Sequence, residues 1–206
     1  MHIAIAGNIG SGKTTLAGVL AKHLDFDAQY EDPGDNPYIQ DFYSDMTRWS
    51  FNMQIFFLQS RIQQTITIQQ GKTNVIQDRT LYEDAEIFAP NLQALGLMSD
   101  RDYANYRALY DTVIHLVRPP DLVIYLKASI STLVEQIAER NREYEDNIRI
   151  DYLKKLNDRY DEWYAGYSLG AKLECDLEKL NVRANPEHLG TLLNRIKGEL
   201  FGLFRK

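Results

Sequence analysis

Apolar residues recur along this chain at two spacings. Ile3 to Ala6 form an unbroken apolar run that Gly7 ends, the pattern of a strand buried on both faces. From Lys13, "KTTLAGVLAKHL" carries Leu16, Val19, Leu20 and Leu24 at helical spacing. A weaker strand is expected over Ala28 to Glu31. "PYIQDFYSD" predicts a short helix opened by Pro37 at its first turn. A long helix follows from about Arg48 to Gln70, with Phe51, Ile55, Leu58, Ile62 and Ile66 as its core stripe and Gly71 as its stop. "TNVIQD" predicts a strand ending at Asp78. "LYEDAEIFAPNL" predicts a helix as far as Pro90, and Ser99 opens another that runs to about Val117, where "RPP" breaks it. "DLVIYLKA" is a further buried strand, followed by a helix capped by Ser131 and running to about Arg142. Asp151 to Gly166 is amphipathic, with Leu153, Leu156, Tyr160 and Trp163 on one side. Leu177 to Val182 predicts a last strand, and "NPEHLGTLLNRIKGELFGLF" a last helix.

Buried apolar strands alternating with helices predict an α/β fold, a parallel sheet covered by helices on both faces. No Gly/Ser linker or repeat divides the 206 residues, so one domain over 1–206 is expected. The composition, 44% hydrophobic and 25% charged, is that of a globular protein rather than a disordered one. A net charge of -6 argues against broad, sequence-independent nucleic-acid binding, which depends on basic patches. The single cysteine, Cys175, can form no internal disulfide and belongs to no metal or redox pair, so it is expected to be a structural or surface thiol. The N-terminus shows no targeting pattern and no stretch suits a membrane span, so a soluble, cytoplasmic protein without membrane partners is expected.

"GNIGSGKTT" brings in chemistry. Gly7, four residues, Gly12, Lys13 and Thr14 fit G-x-x-x-x-G-K-[ST] between a buried strand and a helix. Backbone N–H groups from Gly7 through Asn8, Ile9, Gly10, Ser11 and Gly12 to Thr15 are expected to cradle a phosphate chain, aided by the positive end of the helix. Lys13 would reach the β- and γ-phosphates, and the Thr14 hydroxyl would ligate Mg²⁺. The loop leaves the acceptor open, but N-K-x-D and D-x-x-G, which a GTPase switch would want, are absent.

The acceptor side follows from the strand ends, where ligands gather in open α/β sheets. "YEDPGDNPY" offers Glu31 and Asp32 as carboxylates able to accept a hydroxyl proton. "VIQDRT" places Asp78 and Arg79 at a strand end: the first could hold a metal or its water, the second an acceptor oxygen or a phosphate. Gln54, Phe57 and Arg61 share one face of the long helix, and a glutamine amide suits the edge of a nucleobase. Arg140 and Arg142, with Arg149 nearby, could close over phosphates and stabilise the migrating charge. Each feature alone has an ordinary structural reading: an acidic turn, a strand-end ion pair, a polar helix face, charges at a helix C-terminus.

Taken in order, "GNIGSGKTT", "YEDPGDNPY", "FYSDMTRWSFNMQIFFLQSR", "QDRTLYEDAEIF" and "ERNREYE" resemble the deoxynucleoside kinases, most closely their bacterial deoxyadenosine and deoxyguanosine kinase branch. The resemblance extends to about Tyr164. It implies a P-loop kinase fold with a five-stranded parallel sheet, an arginine-containing lid at about 140–150, and a homodimer. It also implies transfer of the ATP γ-phosphate to the 5′-hydroxyl of a deoxyribonucleoside. By the same resemblance Glu31 matches the general base, five positions before Asn36. Members with Glu directly before Pro would choose Asp32 instead. Tyr43 and Glu145 match the pair holding the sugar 3′-hydroxyl, Gln54 the base reader, and Phe88 the ring stacked on the base. Asp78 and Arg79 match the pair beside the 5′-hydroxyl, and Arg140 and Arg142 the lid arginines. Arg61 and Asp84 match a charged pair found in members taking purines or deoxycytidine, where thymidine-preferring members tend to be apolar. Deoxyadenosine is therefore expected first, with deoxyguanosine or deoxycytidine as alternatives. Two positions depart from the family: Asn141 stands where glycine is usual between the lid arginines, and Thr80 where serine is usual. The rivals are a nucleoside monophosphate kinase, which needs extra basic contacts for its acceptor phosphate, and a nucleotide-gated binding protein that transfers nothing.

Overall fold

The computed structural model describes residues 1–30, 33–142, 148–182 and 185–202. Five strands, β1 (His2–Gly7), β2 (Asp27–Gln29), β3 (Val75–Asp78), β4 (Leu122–Lys127) and β5 (Ala171–Asp176), pair in parallel in the order β2-β3-β1-β4-β5. All four pairings are parallel, so every strand delivers its carboxyl end to the same edge. The expected fold class holds, with helices on both faces.

Side-chain alternation divides the two layers. Ile3 and Ile5 of β1 face one way, with Ile76, Ile124, Leu173 and Cys175, and are covered by α1 (Lys13–Leu24) and α9 (Pro186–Phe201). Ala6 and Val123 face the other way, against Tyr167 and Trp163 at the end of α8 (Ile150–Gly166). On that side, too, lie α2 (Ile39–Ser44), α3 (Met46–Gln70), α4 (Leu81–Glu83), α5 (Ala89–Ala94) and α6 (Asp100–Val113). The last helix before the lid segment is α7 (Ile130–Arg140).

Several expected boundaries move for identifiable reasons. The short helix starts at Ile39 rather than Pro37, because Asn36 makes the turn: its side-chain oxygen accepts from the Tyr38 N–H (3.0 Å) and its carbonyl from the Ile39 N–H (3.1 Å). Ser129, not Ser131, caps α7, accepting from the Thr132 N–H at 3.2 Å. The last strand is Ala171–Asp176 rather than Leu177 to Val182. In it, Leu173 and Cys175 alternate inward, whereas the N–H of Leu180 turns back to the Asp176 carbonyl (2.9 Å). Pro90 does not end its helix. Asp84–Phe88 forms a π turn in which the Ala89 N–H reaches the Asp84 carbonyl. The Ala85 carbonyl, five residues before the proline that has no N–H to offer, accepts from Arg107 at 3.5 Å.

The largest departure is on α3. Of the expected stripe only Leu58 is fully buried; Phe51, Ile55, Ile62 and Ile66 pack half-buried against α6 and its neighbours. The deepest line of the helix includes Ser50, Gln54, Arg61 and Thr65. A polar line buried this deeply requires partners: Ser50 donates to the Leu97 carbonyl and Thr65 to that of Arg61, while Gln54 and Arg61 face the cleft described next.

Candidate active site

The phosphate loop is built by its glycines. Gly10 and Gly12 take φ of 83° and 80°, where a side chain is strained, and a Cβ on Gly10 would lie 2.7 Å from the Leu133 carbonyl. The loop is thus pressed against α7. Asn8 is turned inward: its amide donates to the Leu153 carbonyl (3.0 Å) and to Asn157 (3.1 Å) of α8, and its oxygen accepts from the Ile9 N–H (2.8 Å). Its side chain therefore ties the loop to α8 and does not reach the cleft.

Lys13 is buried, and its ammonium donates to the carbonyls of Gly7 and Asn8, both at 2.8 Å. Burial pulls its pKa down to about 7, helped by the nearby Arg79 charge and opposed by Asp78 and Glu83. The Thr14 hydroxyl donates to Asp78 at 2.5 Å, linking the first turn of α1 to the end of β3. Such a hydroxyl–carboxylate pair offers hard oxygens, which suit Mg²⁺ completed by water and phosphate oxygens. Among the described residues no group of three or more His, Cys, Asp or Glu could hold a metal by itself.

One cleft collects most of the expected residues. Ile9, Gly10, Lys13 and Thr14 form its phosphate end, with Asp78, Arg79, Arg140 and Arg142 around them. Tyr43, Gln54, Arg61, Asp84 and Phe88 line the same cleft. Gly12 and Thr15 open instead onto an adjoining depression shared with Arg140 and Arg142, and Ser11 onto one beside Leu180 and Val182. Gly7 lies beneath, as the last residue of β1. Glu31, Asp32 and Glu145 lie outside the described residues, as does the lid between 143 and 147. Asn141 takes the left-handed conformation, φ 50°, which the departure from glycine had put in question. Thr80 closes a capping box with Glu83.

The part of the cleft lined by Gln54, Arg61 and Asp84 is polar and buried. Arg61 and Asp84 form an ion pair whose side chains are 3% and 2% exposed, and the Arg61 guanidinium lies 5.5 Å from the Phe57 ring. Gln54 is 1% exposed, and among the described residues its Oε1 has no hydrogen-bond partner. An orphaned buried acceptor costs stability unless a ligand satisfies it. Arg79 is held in a left-handed backbone, φ 70°, with its guanidinium 4.5 Å from the Phe88 ring.

A family model for deoxynucleoside kinases matches residues 3–200. The chain belongs to the deoxynucleoside kinase family. It is 43% identical over 162 residues to the deoxyadenosine kinase of Dictyostelium discoideum, spanning 79% of this chain and 66% of that enzyme. It is 33% identical to the deoxyadenosine/deoxycytidine kinase of Bacillus subtilis, over 94% of this chain and 90% of that one. Among solved structures, deoxyadenosine kinase from M. mycoides with dCMP and dCDP bound is 32% identical, with a TM-score of 0.86 over 96% of this chain and 100% of that one. The kinase is therefore an ATP-dependent enzyme that phosphorylates deoxynucleosides.

Sequence reasoning missed part of the site. Ile39, Phe42, Met53 and Tyr152 also line the cleft, and Glu83 and Tyr160 stand directly behind Arg79. Their sequence signal is that of ordinary core or helix positions, apart from the Thr80–Glu83 spacing, which is a helix-start pattern.

Proposed function

We propose that this kinase phosphorylates deoxyadenosine first, with deoxycytidine as its nearest competitor. The observation that carries the reading is the orphaned Gln54 oxygen beside the buried Arg61–Asp84 pair. An amide presents one acceptor and one donor edge. Adenine offers an amine next to a ring nitrogen acceptor, and cytosine offers the same pair, so one amide orientation serves both. Guanine and thymine reverse the pattern and need the amide turned over. The relatives' names agree in part, for they include deoxyadenosine, deoxyadenosine/deoxycytidine and deoxyguanosine kinases.

In the proposed mechanism Glu31 accepts the 5′-hydroxyl proton as that oxygen attacks the γ-phosphorus in line. Arg79 holds the acceptor oxygen, and Lys13, Arg140 and Arg142 take up the charge on the migrating group. Tyr43 and Glu145 hold the sugar, and Phe88 stacks on the base. Thr14 and Asp78 would hold Mg²⁺, which when bound neutralises phosphate charge. The rate comes mainly from positioning and fixed charge. A homodimer in the cytoplasm completes the reading; no helix among the described residues is long and apolar enough to cross a membrane.

Incubation with γ-labelled ATP and each of the four deoxynucleosides tests the base. A higher kcat/KM for deoxyguanosine or thymidine than for deoxyadenosine would refute the reading. Glu31→Gln should lower kcat by about 10²–10⁴ with nucleoside binding retained. Near-normal turnover would move the base role to Asp32.

A further inference from the structure

Glu83 is a fully buried carboxylate at the end of α4, and no part of the reaction described above uses it. Each of its oxygens is fully engaged. One accepts from the Thr80 N–H (2.7 Å) and the Thr80 hydroxyl (3.1 Å). The other accepts from the Tyr160 hydroxyl (2.8 Å) and from the N–H of Gly7 (3.3 Å), the first residue of the phosphate loop. Tyr160 is itself fully buried, and its hydroxyl oxygen accepts in turn from Arg79 at 3.4 Å. The Phe88 ring that lies against Arg79 meets Tyr160 edge-on at 6.2 Å.

A helix cap needs only the Thr80 contacts. The second oxygen reaches across 77 residues of sequence to Tyr160 and 76 to Gly7, toward the two sides of the reaction. A phenol has one proton. Because that proton is given to Glu83, the lone pairs of the Tyr160 oxygen are left facing Arg79. Burial raises the Tyr160 pKa far above its ordinary value, so the proton stays on the phenol.

We infer that Glu83 is a positioning residue for phosphoryl transfer: through Tyr160 it fixes the Arg79 guanidinium in register with the phosphate loop. The left-handed backbone at Arg79 makes such support necessary, because strained backbone persists only where its surroundings over-determine it. An amide at position 83 conserves volume but has one acceptor in place of two. If its oxygen stays with Thr80, its NH₂ faces Gly7 N–H, a second donor, and reverses the phenol proton so that it points at Arg79.

This inference rests on the role proposed for Arg79, so the experiment measures Arg79→Ala beside Glu83→Gln, Tyr160→Phe and the double variant. Readouts are kcat, KM for ATP and for deoxyadenosine, and the thermal midpoint. Tyr160→Phe leaves the Thr80 cap in place and carries the test even if Glu83→Gln fails to fold. Expected is a kcat loss of about tenfold or more for Tyr160→Phe with both KM values within about threefold, the signature of an interaction made in the transition state. Where Glu83→Gln folds, its kcat falls at least as far, and the double variant is no worse than Glu83→Gln alone, since both act through one link. A Tyr160→Phe kcat loss of less than about fivefold, KM values that rise in step with the loss, or losses that multiply in the double variant would overturn the inference. If instead Arg79→Ala keeps full kcat, it is the role proposed for Arg79 that fails.

Discussion

Replacing Asp84 with alanine removes a carboxylate paired with the buried Arg61 guanidinium. Both side chains are nearly inaccessible, at 3% and 2%, so water neither screens the pair in the native protein nor rescues the arginine afterwards. Breaking a buried pair on one side costs about 3–5 kcal/mol, because the remaining charge stays buried. For a chain of this size each kcal/mol moves the thermal midpoint by about 2–4 °C, so Asp84→Ala should melt roughly 6–20 °C lower. The cation–π contact of Arg61 with Phe57 at 5.5 Å offsets only a fraction of this. The double variant Arg61→Met, Asp84→Ala removes both charges of the pair and should regain most of the loss, giving a coupling of about 2 kcal/mol or more in a double-mutant cycle. Thermal and urea denaturation give the stabilities, and kcat/KM across the four deoxynucleosides gives the selectivity. The double variant should lose preference for deoxyadenosine relative to thymidine. An Asp84→Ala cost below about 1 kcal/mol, or a double variant no more stable than Asp84→Ala, would refute the reasoning.

Other outcomes follow from the same geometry. With Lys13 near 7 in the nucleotide-free protein, the group is largely neutral at pH 8; phosphates favour its charged form, so nucleotide binding should take up protons there. ATP affinity should then weaken as pH rises from about 7 to 9, and calorimetry at pH 8 in two buffers of different ionisation heat should differ; equal heats would contradict the shift. Asn141 occupies a left-handed position that glycine also suits, so Asn141→Gly should leave the thermal midpoint near that of the parent. Asn141→Val should cost about 1–2 kcal/mol, read as a lowered midpoint; no change would mean that the turn relaxes.

The family, the individual strands and the phosphate loop are written locally. A glycine run between an apolar strand and a helix needs only neighbours in sequence to specify it. Most strand and helix positions follow likewise from the spacing of apolar residues. Boundaries failed where a neighbour competed: Asn36 took the turn from Pro37, Ser129 took the cap from Ser131, and the π turn let a helix pass Pro90.

Which polar residues are buried, and what they face, was decided by tertiary structure. Along α3 the apolar stripe of Phe51, Ile55, Ile62 and Ile66 is the one that hydrophobic periodicity selects, yet Gln54 and Arg61 lie deeper. Periodicity measures transfer from water and has no term for a polar group whose partner comes from another element, as Asp84 does for Arg61. Glu83 shows the same limit: sequence reveals its bond to Thr80 three residues away, while its bonds to Gly7 and Tyr160 exist only because the sheet and α8 bring distant segments together. The donor loop is thus a local property of the sequence. The orientation of Arg79 is a long-range one, because the groups holding it come from strands and helices that meet only in the folded chain.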